Sequence, residues 1–157
     1  GNLCQRVTAF AFKNCDGKIP KDIKFHEDDL IILNKYKDNL NNIRKNIDKQ
    51  NINFYIDYIV NSLFEANKYF NDQEPWKKKN DVIRLNTIVY TTLEIVRKIS
   101  FMLYPIIPQS SLNALKIFSI TESNIKFSSI ENHKYLKGDE NINKIDILFK
   151  KIEKNND

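Results

Sequence analysis

Glu65-Ala66-Asn67-Lys68-Tyr69-Phe70-Asn71-Asp72-Gln73-Glu74-Pro75-Trp76 closes one helical run, and the only tryptophan of the chain stands just past the break. Pro75 cannot continue a helix and pushes Glu74 out of the α region, so Trp76 is expected on an exposed turn. Upstream, Ile56, Ile59, Val60, Leu63, Ala66 and Phe70 recur at helical spacing and predict a helix over about residues 53 to 72, with Asn67 inside the apolar stripe. Downstream, Val82, Leu85, Val89, Leu93, Val96, Ser100 and Leu103 predict the inner face of a helix from about Val82 to Tyr104, closed by Pro105 and Pro108. Two long antiparallel helices joined by the Trp76 turn make a hairpin.

The remaining sequence continues in the same period. Residues 2 to 14 predict a helix stopped by Asp16-Gly17 and Pro20. Glu27, Asp28 and Asp29 open another, with Leu30, Leu33, Leu40, Ile43 and Ile47 carrying it to Asp48. Ser110 to Phe118 reads as a shorter helix capped by Ser110 or Ser111. Residues 119 to 140 hold no sustained period and read mostly as loop, and Ile142, Ile145, Leu148, Phe149 and Ile152 predict a last amphipathic helix. No strand and no repeat stand out. The expected fold is all-α, an antiparallel bundle of about five or six helices in one domain over 1–157, with 119–157 a loop plus C-terminal helix.

The chain has 157 residues, 41% of them hydrophobic, and no apolar run long enough to span a membrane. It starts Gly1-Asn2-Leu3 without an initiator methionine or a signal-peptide core, which predicts a chain cut from something longer. Lys and Arg total 25 against 20 Asp and Glu, a net charge of +5, which suits an anionic partner without naming one. Cys4 and Cys15 would lie roughly 16 Å apart along one helix, too far for a disulfide, and with His26 and His133 they form no zinc spacing. The three glycines stand outside any strand-loop-helix context, so no nucleotide cradle is present. No nucleophile with its base is discernible, and no catalysis is expected of this chain alone.

The binding candidates are polar. Asn2, Arg6 and Lys13 share one face of the first helix, beside the packed face of Leu3, Val7 and Phe10. An Asn amide and an Arg fork are groups able to read a base edge, although most helices carry both on their solvent side. Trp76 is followed by Lys77, Lys78 and Lys79, a flat π surface beside cations that suits an unstacked base and its phosphates. The competing reading folds Trp76 back on the helix pair. Asn67 reads as a buried amide tying the helix end to a neighbouring backbone, with Pro75 shaping the turn. Arg84 and Arg97 read as ordinary surface pairs.

The string Glu65-Ala66-Asn67-Lys68-Tyr69 through Gln73-Glu74-Pro75-Trp76, together with Gly1-Asn2-Leu3 and Arg6, resembles the anticodon-binding domain of methionyl-tRNA synthetase, a class I aminoacyl-tRNA synthetase. Leu103-Tyr104-Pro105-Ile106-Ile107-Pro108, His133-Lys134, Leu148-Phe149 and Ile152-Glu153 extend the likeness along the chain, while Lys150 replaces the family's usual proline. The resemblance implies that Trp76 stacks on an anticodon base and that Asn2 and Arg6 contact anticodon bases, including the cytosine opening CAU. Lys13, Lys77 and Lys78 would contact phosphates. It further implies methionine-tRNA ligase as the parent cytoplasmic enzyme of protein biosynthesis, an organellar version looking similar. The catalytic domain, absent from this chain, would bind ATP and methionine, so no cofactor is expected here. The partners implied are the anticodon stem-loop of methionine tRNA and that catalytic domain. Competing readings are a non-catalytic helical protein-interaction or generic basic RNA-binding module, and peripheral membrane binding through Lys144 to Lys154.

Overall fold

The computed structural model describes residues 2–38 and 52–144, with the backbone alone described at Asn2, Lys37 and Asp38. Among these residues lie five α-helices: α1 (Asn2–Asn14), α2 (Glu27–Asp38), α3 (Ile52–Gln73), α4 (Val82–Leu103) and α5 (Pro108–Leu115). No strand occurs among them, only an isolated antiparallel bridge between Lys18 and Asn141. The all-α expectation holds.

The expectation of a one-sided α4 does not. Every residue from Thr87 to Met102 is buried, because α4 runs through the centre and touches α1, α2, α3, α5 and the 127–131 turn. Val82, expected to face inward, is 61% exposed. Arg97 has no exposed surface: its Nε donates to Glu94 at 2.6 Å, its Nη atoms donate to the Ser129 and Asn132 carbonyls, and it lies over Phe101 and Tyr135. Lys98 donates to the Ile130 and Asn132 carbonyls and meets His133 Nδ1 at 3.0 Å. These buried side chains fasten the 119–144 segment to the bundle, satisfying carbonyls that no helix supplies with donors. That segment is irregular as expected, with single 3₁₀ turns at Glu122–Asn124 and Phe127–Glu131, yet Ile130, Leu136 and Ile142 are core residues.

The buried face of α3 is rotated from its apolar stripe. Tyr55, Ile59, Ser62, Ala66, Tyr69 and Phe70 are buried, whereas Ile56 is exposed and Val60 is 56% exposed. The tyrosines pack inward because their hydroxyls find acceptors, Tyr55 at the Met102 carbonyl and Tyr69 at Asp29. On α2 the inward residues are Asp29, Ile32, Leu33 and Tyr36, with Leu30 outward. Its expected continuation through Leu40, Ile43 and Ile47 lies outside the described residues, as does the C-terminal helix from Ile145. Ile142 belongs to the stretch beside the Lys18–Asn141 bridge instead of a helix.

α1 stops as expected: Asp16 and Gly17 both have left-handed φ, 54° and 67°. A Cβ on Gly17 would sit 2.8 Å from the Phe12 ring and force it to shift, so a side chain there is disfavoured by both the close approach and the positive φ. Cys4 and Cys15 are free thiols. α5 begins with Pro108 in its first turn and Ile107 at the cap, and Ser111 is buried within the helix, so neither serine caps it. No described helix is long and apolar enough to cross a membrane.

Candidate nucleic-acid interface

α3 ends at Gln73, and Glu74 turns left-handed at φ 47°, ψ 58°. That conformation is costly for a non-glycine residue and reverses the chain at once. Pro75, buried, then opens one turn of 3₁₀ helix, Pro75–Lys77. Trp76 rides on this turn 41% exposed, with its ring edge-on to Phe70 at 6.0 Å and 66°. The two readings of Trp76 thus combine: one part is braced on α3 and the remainder faces solvent.

Phe70 also receives α1. The Arg6 guanidinium carbon lies 5.1 Å from the Phe70 ring centroid, and Arg6 Nη2 donates to Asn71 Oδ1 at 2.6 Å. Phe10 meets Phe70 edge-on at 6.1 Å. Arg6 and Trp76 are therefore brought to one buried ring from two separate elements, both exposed beside it. Asn2 precedes Arg6 by one helical turn, and its side chain lies outside the described residues. Lys13 is exposed in the last turn of α1.

The lysines of the turn are partly engaged. Lys77 pairs with Glu74 at 3.2 Å in an exposed contact, and Lys78 Nζ donates to the Gln73 carbonyl at 3.1 Å, where α3 has unpaired carbonyls. Asn67 departs from expectation. Its amide donates to the Leu63 carbonyl four residues back in α3, at 3.1 Å, so it serves its own helix and does not tie the Trp76 turn to a neighbouring backbone.

The support for the turn comes from Arg84, which the sequence suggested was a surface residue. Arg84 is buried and clamps Asp29 with two bonds of 2.7 and 3.0 Å, while Nη2 also donates to Gln73 Oε1 at 2.7 Å. Asp29 in turn accepts from the His26 backbone at 2.8 Å and from the Tyr69 hydroxyl. Burial works to raise the Asp29 pKa, but the Arg84, Tyr69 and His26 hydrogen bonds and the Arg84 charge outweigh it and hold the carboxyl below the usual range. Nothing in one sequence separates Asp29 from the acidic Glu27 and Asp28 beside it. Phe70 and Asn71 were within reach, since both lie in the Glu65–Trp76 string.

An apolar cleft of about 260 Å³ opens between Leu3, Ile59, Leu63 and Leu103, and shares no residue with the Arg6, Phe70 and Trp76 cluster. The cluster itself offers a flat ring, a guanidinium fork and cations on an open surface, which is the chemistry of single-stranded nucleic-acid recognition.

Residues 19–157 match a family described as the anticodon binding domain of methionyl tRNA ligase. The methionine–tRNA ligase of Brucella suis is 37% identical over 131 residues, covering 83% of this chain and 25% of that protein. The methionine–tRNA ligase of Rickettsia felis is 33% identical over 157 residues, covering 98% of this chain and 31% of its own length. Among solved structures, free-state Mycobacterium tuberculosis methionyl-tRNA synthetase superposes with a TM-score of 0.87 at 27% identity, over 96% of this chain and 31% of that one. The chain thus spans between a quarter and a third of the relatives it matches.

Proposed function

The chain belongs to the family of anticodon-binding domains of methionyl-tRNA ligase, and from that premise we propose that it reads the CAU anticodon of methionine tRNA. The observation that carries this reading is the convergence of exposed Arg6 and half-exposed Trp76 on Phe70. An unstacked anticodon base lies on the open part of the Trp76 indole, worth roughly 1 to 3 kcal/mol per base. The Arg6 fork, held by Asn71 and therefore largely pre-organised, donates to a base edge, joined by the Asn2 amide one turn away. Lys13, Lys77 and Lys78 neutralise phosphates. The exposed Lys77–Glu74 pair is worth little in water, so a phosphate can take over the lysine at small cost.

The arrangement divides the labour. Base contacts from Asn2 and Arg6 specify, while stacking and lysines supply affinity. ATP and methionine bind a catalytic domain outside this chain, which is the second partner, and the parent enzyme acts in the cytoplasm. A filter-binding comparison of a CAU stem-loop with one changed at the first anticodon base, at fixed salt, tests this. Preference for CAU by about tenfold or more is expected, the order of one good base-edge pairing. Equal binding of both would reduce the domain to a generic basic surface.

A further inference from the structure

The eight residues Glu74–Asp81 that carry Trp76 are fastened at both ends to one side chain and its backbone. Before the turn, Gln73 Oε1 accepts from Arg84 Nη2 at 2.7 Å; after it, the Asp81 carboxylate accepts from the Arg84 amide at 3.2 Å and caps α4. The rest of the guanidinium is committed to Asp29 of α2, itself bonded by Tyr69 of α3. Arg84 thus sits where α2, the end of α3 and the start of α4 meet, behind the turn and never at its surface.

Stability alone is a poor account of this placement. A buried ion pair gives up hydration that apolar residues of similar volume would not, so its presence is weak evidence of a gain in stability. Inside the turn the hydrogen bonds are local: Lys77 to Glu74, Lys78 to Pro75 and Asp81 to Lys78. They shape the turn, and the Lys78 Nζ bond to the Gln73 carbonyl with buried Pro75 holds it to the end of α3, whose own tie to α2 and α4 runs through Arg84. Phe70 braces only one edge of the indole.

Resting on the anticodon reading above, we propose that Arg84 is a positioning residue for recognition: through its guanidinium bond to Gln73 it sets the Trp76 turn at the distance from Arg6 that one anticodon loop requires. Arg84 touches no RNA. Its loss misplaces the stacking surface relative to the base-reading fork, so discrimination falls more than bundle stability.

Two variants test this. Gln73→Leu removes the acceptor at the turn and leaves the Asp29–Arg84 pair intact; Arg84→Lys keeps a charge for Asp29 but has no fork to span both partners. Because Trp76 is the only tryptophan, its fluorescence anisotropy in the RNA-free chain reports the turn alone. For Gln73→Leu the expected result is lower Trp76 anisotropy and about a tenfold smaller ratio of CAU to altered-anticodon affinity, with only a small fall in the urea midpoint because Arg84 Nη2 keeps Asp29 as acceptor. Arg84→Lys should lower the anisotropy and the affinity ratio likewise, with a loss of stability as well because the buried bidentate pair with Asp29 is reduced, and if it fails to fold, Gln73→Leu decides. Unchanged anisotropy, or an unchanged affinity ratio, in a folded Gln73→Leu chain overturns the proposal, as does a ratio lost only in proportion to stability. If the parent chain cannot distinguish the two RNAs, the anticodon reading falls, and Trp76 anisotropy still decides whether Arg84 holds the turn.

Discussion

Arg6 of α1 and Trp76 of the turn between α3 and α4 rest on the same Phe70 ring, the guanidinium carbon 5.1 Å from its centroid and the indole centroid 6.0 Å away. One buried phenyl group therefore couples the placement of a hydrogen-bonding fork to that of a stacking surface. The pair is available to a ligand because both members stay exposed, whereas Phe70 is buried beneath them.

Replacing Trp76 by alanine should weaken anticodon stem-loop binding by roughly 1 to 3 kcal/mol, since the open face of the ring is what a base would stack on. The edge contact with Phe70 is a small share of the core, so circular dichroism of the variant should keep its helical signal. A melted bundle would make Trp76 a core residue and remove it from the interface.

Arg6→Ala and Lys77→Ala should separate by kind. Arg6→Ala is expected to relax discrimination at particular anticodon bases by about 1 to 3 kcal/mol, and Lys77→Ala to weaken all RNAs alike with a shallower salt dependence. Asn71→Ala frees the Arg6 fork and should reproduce part of the Arg6 defect without touching RNA. Equal losses for every RNA in all three variants would point to charge alone.

Glu94 and Arg97 are both fully buried, and Glu94 also accepts from the Leu136 amide at 3.0 Å. Glu94→Leu leaves the Arg97 charge without its carboxylate and should cost about 3 to 5 kcal/mol in urea unfolding. The double variant with Arg97→Leu should lose less than the sum of the two single losses. A single-variant loss within about 0.5 kcal/mol, the ordinary surface range, would contradict the buried pairing.

Lys98 predicts a pH dependence. Burial, with the Arg97 charge, pushes its pKa from 10.5 down to about 7 against the opposing pull of Glu94 and Glu131. Between those values the unfolded chain holds more protons than the folded one, so stability climbs with pH and is lost again as pH falls toward 7. The thiols limit the window from above: burial pushes Cys4 and Cys15 from 9.0 up to about 11, so the unfolded chain ionises them first. Thermal midpoints should therefore rise from about pH 7 to about 9 and Lys98→Met should flatten that rise. A flat profile for the parent chain would contradict it.

Where α1 and α3 end was legible because local chemistry decides it: Asp16-Gly17 stops α1 and Pro75 follows α3, whereas α5 opens at Pro108, ahead of the serine cap expected for it. Which face each helix buries was less so. Arg97 reads as an ordinary surface pair, and only the three-dimensional meeting of α4 with the 127–133 segment turns it inward together with Glu94 and Lys98. Tyr55 and Tyr69, absent from the expected apolar stripe, are buried for the same reason, their acceptors being Met102 and Asp29 on other helices. Trp76 and Arg6 were visible as residue types. Their shared Phe70, and Arg84 behind the turn, depend on contacts between residues far apart in sequence, which no local pattern encodes.

The most direct test is fluorescence titration of Trp76 with a CAU anticodon stem-loop and with the same RNA altered at its first anticodon base, at one physiological salt concentration. Strong quenching by CAU, at concentrations where the altered RNA quenches little, is the expected result and would place Trp76 within anticodon reading. Equal quenching by both RNAs, or none at saturating RNA, would contradict it.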